Sequence, residues 1–215
     1  MVLLGLISAT NGTPPAAGAM PARNPVLLIH GIHDSAASMK TLTVWLSSQG
    51  WEVHSLSLAP NNGSMSLAGL ASQVAHYAES TFAPGKKFDL VGFSMGGVVC
   101  RYYLQRLDGI DRVERFVSVG APNHGTWMAL LNWHPGGREM RPRSAFINDL
   151  NADLRTFDQV QLTVIWTPLD LIIIPANSSR MPVGREVRIW SVAHPLLLLQ
   201  PSAIRAISQA LLETR

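Results

Sequence analysis

Gly92-Phe93-Ser94-Met95-Gly96 sets a serine between two glycines, directly after the apolar run Phe88-Asp89-Leu90-Val91 and before a stretch of helical character. A G-x-S-x-G pattern in that setting describes a sharp strand-to-helix turn that presents the serine hydroxyl as a nucleophile. The glycines are required because neighbouring backbone passes too close for Cβ atoms. A serine hydroxyl is a weak nucleophile at neutral pH, so Ser94 needs a base within hydrogen-bond reach, and the base needs an orienting carboxylate. Hydrolases built on such an elbow order these residues Ser, then acid, then His. Histidines stand at positions 30, 33, 54, 76, 124, 134 and 194, and the order excludes the first four. His124 and His134 precede the later strands that should supply the acid. His194 remains, in Ser191-Val192-Ala193-His194-Pro195. The acid belongs at the C-terminal end of the strand before it, where open α/β sheets gather their working residues. Asp170, closing Val164-Ile165-Trp166-Thr167-Pro168-Leu169-Asp170, meets that condition, whereas Asp149, Asp153 and Asp158 lie in or beside the preceding helix.

Acyl transfer at Ser94 also needs donors where the tetrahedral oxyanion develops, each lowering the barrier by ~2.7 to 4 kcal/mol. The Met95 N–H, first in the helix after the elbow, is one candidate. The loop His30-Gly31-Ile32 after the first strand offers the second, the Ile32 N–H. His30 itself reads as a brace of that loop rather than as a base or metal ligand.

Pro25-Val26-Leu27-Leu28-Ile29 is a short continuous apolar run of the kind that forms a strand buried on both faces. Strands are likewise expected over 51–58, 87–93, 112–119, 161–166 and 187–192. Helices are expected over 38–49 with Gly50 as stop, 66–81, 95–107, 144–155 and 201–213. Between Asn132 and Arg143 the periodicity lapses, marking an insertion or minimal cap. Regular alternation of strand and helix predicts an α/β fold, a doubly wound and mostly parallel central sheet with helices on both faces. The expected organisation is an N-terminal arm over 1–24, rich in Pro, Ala and Gly towards its end, and a single domain over 25–215.

The 215 residues carry 17 Lys plus Arg against 14 Asp plus Glu, spread without a basic run, which gives no support to nucleic-acid binding. Cys100 is the only cysteine, so an intramolecular disulfide and Cys₄ or Cys₂His₂ metal sites are excluded; within Val98-Val99-Cys100 it reads as core. Met1 to Ala9 is apolar and Ala17-Gly18-Ala19 has the look of a small-residue cleavage site, but the charged segment of a signal peptide is missing. The compartment stays open between cytoplasmic and secreted. No apolar run approaches the ~18 residues of a spanning helix.

With Ile29-His30-Gly31-Ile32, Gly92-Phe93-Ser94-Met95-Gly96 and Gly120-Ala121-Pro122-Asn123-His124-Gly125-Thr126 in this order, the chain resembles bacterial triacylglycerol lipases and esterases of the α/β-hydrolase superfamily, most of all their small, nearly lidless members. The resemblance runs from about Pro25 to the C-terminal helix. It implies Ser94, Asp170 and His194 as a catalytic triad, Ile32 and Met95 as oxyanion donors, and no cofactor. Larger relatives have a helical lid and a structural metal site. The stretch from Thr126 to Arg143 is too short for either in full, and His124 and His134 lack acidic partners nearby, so no metal is expected.

Apolar residues surround these positions: Trp127, Ile172 to Ile174, and the four leucines Leu196 to Leu199 directly after His194-Pro195. Trp127, Ile172, Ile173, Leu196 and Leu197 are therefore candidates for substrate contact. The leucines either fold back into the core or form an exposed patch favouring transient contact with a lipid surface. The expected activity is hydrolysis of a carboxylic ester, most simply a lipid acyl ester, by a monomer. An acyltransferase, thioesterase or amidase would use the same residues, whereas a non-catalytic binding protein of hydrolase fold would usually have lost one of the triad.

Overall fold

The structure is a computed structural model and describes residues 23–213. Most of the proposed N-terminal arm thus lies outside the described residues. Six strands, β1 (Val26–Ile29), β2 (Val53–Leu56), β3 (Phe88–Phe93), β4 (Val113–Val119), β5 (Gln161–Trp166) and β6 (Arg185–Arg188), form one sheet in the order β2-β1-β3-β4-β5-β6. All five pairings are parallel. Within the described residues the first strand, β1, lies inside the sheet; the chain then steps outward to β2, crosses back to β3 and proceeds to the other edge. The reversal lies between β1 and β3, the kind of position where open α/β sheets place their ligands.

Side-chain alternation along the inner strands divides the core in two. Val26 and Leu28 of β1, with Val91, Val117 and Ile165, face helices α1 (Lys40–Ser48) and α6 (Pro201–Ala210). Leu27 and Ile29, with Leu90, Phe116 and Val164, face α2 (Leu67–Thr81), α3 (Met95–Arg106) and α5 (Ala145–Ala152). Both faces are covered, which is why these strands read as continuous apolar runs. Helix starts follow ordinary capping chemistry: Ser66 Oγ accepts from the Gly69 N–H at 3.1 Å and Ser144 Oγ from the Ile147 N–H at 3.1 Å. Among the described residues, no helix is long and apolar enough to cross a membrane.

Two elements differ from the sequence expectation. The last strand was expected over 187–192 but occupies Arg185–Arg188, with the Ile189 N–H still donating to Trp166 O at 2.8 Å. As an edge strand it has one neighbour and carries exposed charged residues, so its ladder falls outside the most apolar stretch. The expected cap region holds a 3-10 turn (Trp127–Leu131) and the short helix α4 (Pro135–Glu139). It is tied down to the loop before α2, since the Gly136 N–H donates to Gly63 O at 2.9 Å and the Leu67 N–H to Glu139 Oε2 at 2.5 Å.

Candidate active site

Ser94 stands between β3 and α3 with φ 53° and ψ −125°, in the left-handed half of conformational space. For a residue with a Cβ this costs about 1–3 kcal/mol, and the surroundings hold it there. Its N–H donates to Val119 O at 2.9 Å, and its carbonyl accepts from the Gly97 N–H at 3.0 Å. The flanking glycines are sterically obligatory: a Cβ on Gly92 would lie 2.6 Å from the Gly97 Cα, and one on Gly96 would lie 2.4 Å from His30 O.

Because β1 and β3 are neighbours, the loop after β1 arrives beside the elbow. A Cβ on Gly31 would sit 3.1 Å from the Ser94 Cβ. His30 is wholly buried; its Nε2 accepts from the Leu58 N–H at 2.9 Å, which makes Nδ1 the donor to Gly31 O at 2.7 Å. His30 thus ties the loop to the chain after β2, as a brace would. The Ile32 and Met95 N–H groups carry no hydrogen bond within the described residues. Met95 opens α3, where first-turn amides have no intrahelical acceptor and the helix dipole favours negative charge. Two free amides therefore flank Ser94.

Asp170 and His194 come from the ends of β5 and β6, and Thr167 links the two segments. Its Oγ1 donates to Ser191 O at 2.8 Å and accepts from the Ser191 N–H at 3.2 Å. The Asp170 carboxylate is 4 % exposed and fully engaged: Oδ1 accepts from the Ile172 and Ile173 N–H groups, each at 2.9 Å, and Oδ2 from His194 Nδ1 at 2.7 Å. Since a carboxylate only accepts, Nδ1 carries a proton, and in the neutral imidazole Nε2 then presents a lone pair. Nε2 is buried and has no partner among the described residues. The imidazole lies 4.8 Å, centroid to centroid, from the ring of Phe93, the residue before Ser94. It also abuts Gly120, where a Cβ would approach His194 Cε1 at 3.0 Å; Gly120 follows the very carbonyl that binds the Ser94 amide. A strained serine, an imidazole oriented by a carboxylate and two free amides are brought together by the loops after β1, β3, β5 and β6.

Beside Ser94 lies a cavity of about 290 Å³ whose walls are mostly apolar, among them Ile32, Met128, Ala129, Met140, Ile172 and Ile173. Ile172 and Ile173 are among the expected substrate contacts and Ile32 is the expected oxyanion donor; Met128 and Ala129, in the 3-10 turn over Trp127–Leu131, and Met140, in the segment whose periodicity lapses, are additions of the structure. The other proposed contacts lie elsewhere. Trp127 lines a separate cavity, and neither Leu196 nor Leu197 lines the one at Ser94. Leu197 is wholly buried in the core shared with α6, and Leu198 is 3 % exposed. The reason is a 3-10 turn over His194–Leu198, which turns the consecutive Leu197 and Leu198 inward. Exposed apolar side chains stand instead in the segments that line the cavity: Leu131, in its wall, is 75 % exposed, and Trp133 and Leu171, next in sequence to the lining residues Asn132 and Ile172, are 74 % and 73 % exposed. His124 and His134 do not converge, His124 meeting Asn151 and His134 preceding α4 on the surface.

Several solved structures share this backbone. The mature form of Bacillus licheniformis lipase BlEst2 superposes with a TM-score of 0.69 at 17 % identity, covering 92 % of this chain and 95 % of that one. Aspergillus fumigatus lipase B gives a TM-score of 0.73 at 19 % identity over 89 % of this chain and 53 % of that one. The chain has the α/β-hydrolase fold. A thioesterase domain from the curacin biosynthetic pathway shares this α/β-hydrolase backbone, with a TM-score of 0.65 at 15 % identity over 90 % of this chain and 92 % of that domain. By sequence, residues 25–130 match the family model described as palmitoyl protein thioesterase. That stretch, just under half of the chain, contains Ile32, Ser94 and Met95 and ends before Asp170 and His194. Palmitoyl-protein thioesterase 3 of Dictyostelium discoideum is 28 % identical over 109 residues, 48 % of this chain and 37 % of that protein. Lysosomal thioesterase PPT2 of Bos taurus is 32 % identical over 135 residues, 59 % of this chain and 43 % of that protein. The chain spans less than half the length of these curated relatives. They are thioesterases of eukaryotes, so the likeness to bacterial triacylglycerol lipases narrows to the superfamily.

Proposed function

We propose that this α/β-hydrolase is a serine thioesterase that removes an apolar acyl group from a thiol through an acyl-enzyme on Ser94. The observation that carries the reading is the His194–Asp170 pair, its Nε2 free of any partner among the described residues and its ring packed on Phe93, next to the strained Ser94 that lines an apolar cavity. Ser94 Oγ attacks the acyl carbonyl while His194 Nε2 takes its proton, Asp170 stabilises the imidazolium, and the Ile32 and Met95 N–H groups receive the oxyanion. Collapse expels the thiol, which takes the proton from His194; water, deprotonated by the same nitrogen, then releases the carboxylic acid. The acyl chain occupies the cavity between Met128, Met140 and Ile173. Preference for a thioester over an oxygen ester rests on the sequence likeness to thioesterases, since the serine chemistry is the same for both.

A second reading, a lipase working on acyl esters at a lipid surface, draws on the exposed rim of Leu131, Trp133 and Leu171 beside the cavity. The test compares kcat/KM for an S-acyl and an O-acyl substrate with the same palmitoyl chain. A thioester preference of tenfold or more supports the first reading, and the reverse preference replaces it with the second.

A further inference from the structure

A second cavity, of about 450 Å³, is lined by residues of the same two segments that form one wall of the cavity at Ser94. The wall is two segments held together by hydrogen bonds: Thr126 Oγ1 to Ile172 O at 2.8 Å, the Trp127 N–H to Ile174 O at 2.9 Å, and the His124 N–H to Ser178 O at 2.9 Å. The Ser94 cavity meets it at Thr126, Ile172 and Ile173, the second cavity at His124, Trp127 and Ser178. The polar lining of the second cavity consists of His124, Arg143, Asn148, Asn151, Asn177 and Ser178, with no carboxylate.

Behind this lining sits Arg101, an arginine of α3 with no exposed surface at all. Its Nη1 donates to Asn123 O at 3.0 Å and its Nη2 to Asn151 Oδ1 at 2.9 Å, while Nε has no partner. Among the described residues it forms no ion pair; the nearby acids Asp149 and Asp153 are both taken by Arg106. Burial lowers its pKa to about 9, so it remains a cation at neutral pH. A buried cation without a counter-charge is costly. Its field reaches the cavity wall, since burial and then Arg101 hold His124 below the ordinary imidazole range. Arg143 is exposed, and its guanidinium has no partner among the described residues. Two arginines and a set of side-chain amide and hydroxyl groups, with no acid between them, suit recognition of an oxyanion.

We propose that this second cavity binds a small molecule through an oxyanion, of the phosphate monoester class, at a site separate from the chemistry of Ser94. The oxyanion is met by Arg143 and Asn148 in front of the Arg101 charge, with Asn151 held in the wall by Arg101, Asn123 O and His124, and the organic remainder lies against Trp127 and Pro175. Because the wall is shared, occupancy also fixes the segment that carries the Ile172 and Ile173 amides. The proposal stands whether or not Ser94 is the nucleophile.

The test measures binding to the full chain by calorimetry and by thermal shift, using inorganic phosphate and glycerol 3-phosphate against sodium chloride of equal ionic strength. Both phosphates should raise Tm saturably, glycerol 3-phosphate at the lower concentration, and equally in Ser94→Ala. Arg143→Gln, a surface change, should weaken binding about fivefold, in line with one partly screened ion pair; Arg101→Met, where it folds, should abolish it. No saturable effect beyond chloride overturns the proposal, as does binding of unchanged strength in Arg143→Gln.

Discussion

Replacing Asp170 by Asn separates the structural duty of this carboxylate from its duty to His194. In the wild type, Oδ1 holds the Ile172 and Ile173 amides and Oδ2 holds the proton on His194 Nδ1. An asparagine can keep its carbonyl oxygen on the two backbone donors, which leaves its NH₂ facing Nδ1. Two donors cannot meet there, so the imidazole shifts its proton to Nε2, and the nitrogen that should accept the Ser94 proton already carries one. The same tautomer reversal in a serine protease lowers kcat about 10⁴-fold, equivalent to ~5.5 kcal/mol of barrier. A loss of about 10³- to 10⁴-fold is expected here. Stability should suffer far less. Two amide bonds pass from a charged to a neutral acceptor, a loss of about 1 kcal/mol each, for a fall in Tm of about 4–8 °C. The assay is acyl hydrolysis at neutral pH beside a thermal melt of the same preparation. A folded Asp170→Asn protein retaining a tenth or more of wild-type kcat would refute the assigned role of the pair.

Other expectations follow from the packing and the charges. Ala129→Leu places a larger side chain in the wall of the Ser94 cavity; it should cut kcat/KM for a palmitoyl substrate at least tenfold while changing that for an acetyl substrate less than threefold, as read from a chain-length series. Leu131→Ser combined with Trp133→Ser removes exposed rim residues, and should lower the rate on micellar or vesicle-borne substrate several-fold with a monomeric short-chain substrate unaffected. Asp89, buried at the start of β3 against Arg115, has its pKa raised by burial to about 6 from an ordinary 3.8. A raised folded-state pKa means that the folded protein binds the extra proton. Its contribution is then fully present below about pH 4 and is lost as pH rises through 6. Asp89→Asn should therefore match the wild type near pH 4 and exceed it by about 2–3 kcal/mol at pH 7 in denaturant titrations, whereas a constant difference between the two pH values would exclude the linkage.

Inner strands, helices and the elbow were legible because each rests on a local rule: two buried faces make β1 and β3 apolar throughout, and Gly92 and Gly96 answer a steric demand within a few residues of themselves. β6 was misplaced because an edge strand of Arg, Glu, Val and Arg takes its identity from the ladder to β5, a partner that sequence pattern does not report. The leucines after His194 were ambiguous for a related reason. Their direction is set by a 3-10 turn, and Leu197 and Leu198 turn inward under the same chain reversal that presents the histidine. What holds Asp170 in place is carried by the backbone amides of Ile172 and Ile173, which any residue types there would supply. Thr167 is visible in the sequence only as a hydroxyl at a strand end, because its partner, Ser191, lies on another segment. Arg101 has the least visible role: an arginine in a helix ordinarily signals a solvated face, and only the packing of α3 against α5 and the Asn123 loop buries it.

The most direct test of the account is to quench turnover of a palmitoyl thioester in acid and locate the acyl group by peptide mass spectrometry. The account predicts one palmitoyl group on the peptide containing Ser94, absent from Ser94→Ala and greatly reduced in His194→Ala. Palmitate on a different residue, or undiminished hydrolysis by a folded Ser94→Ala protein, would contradict it.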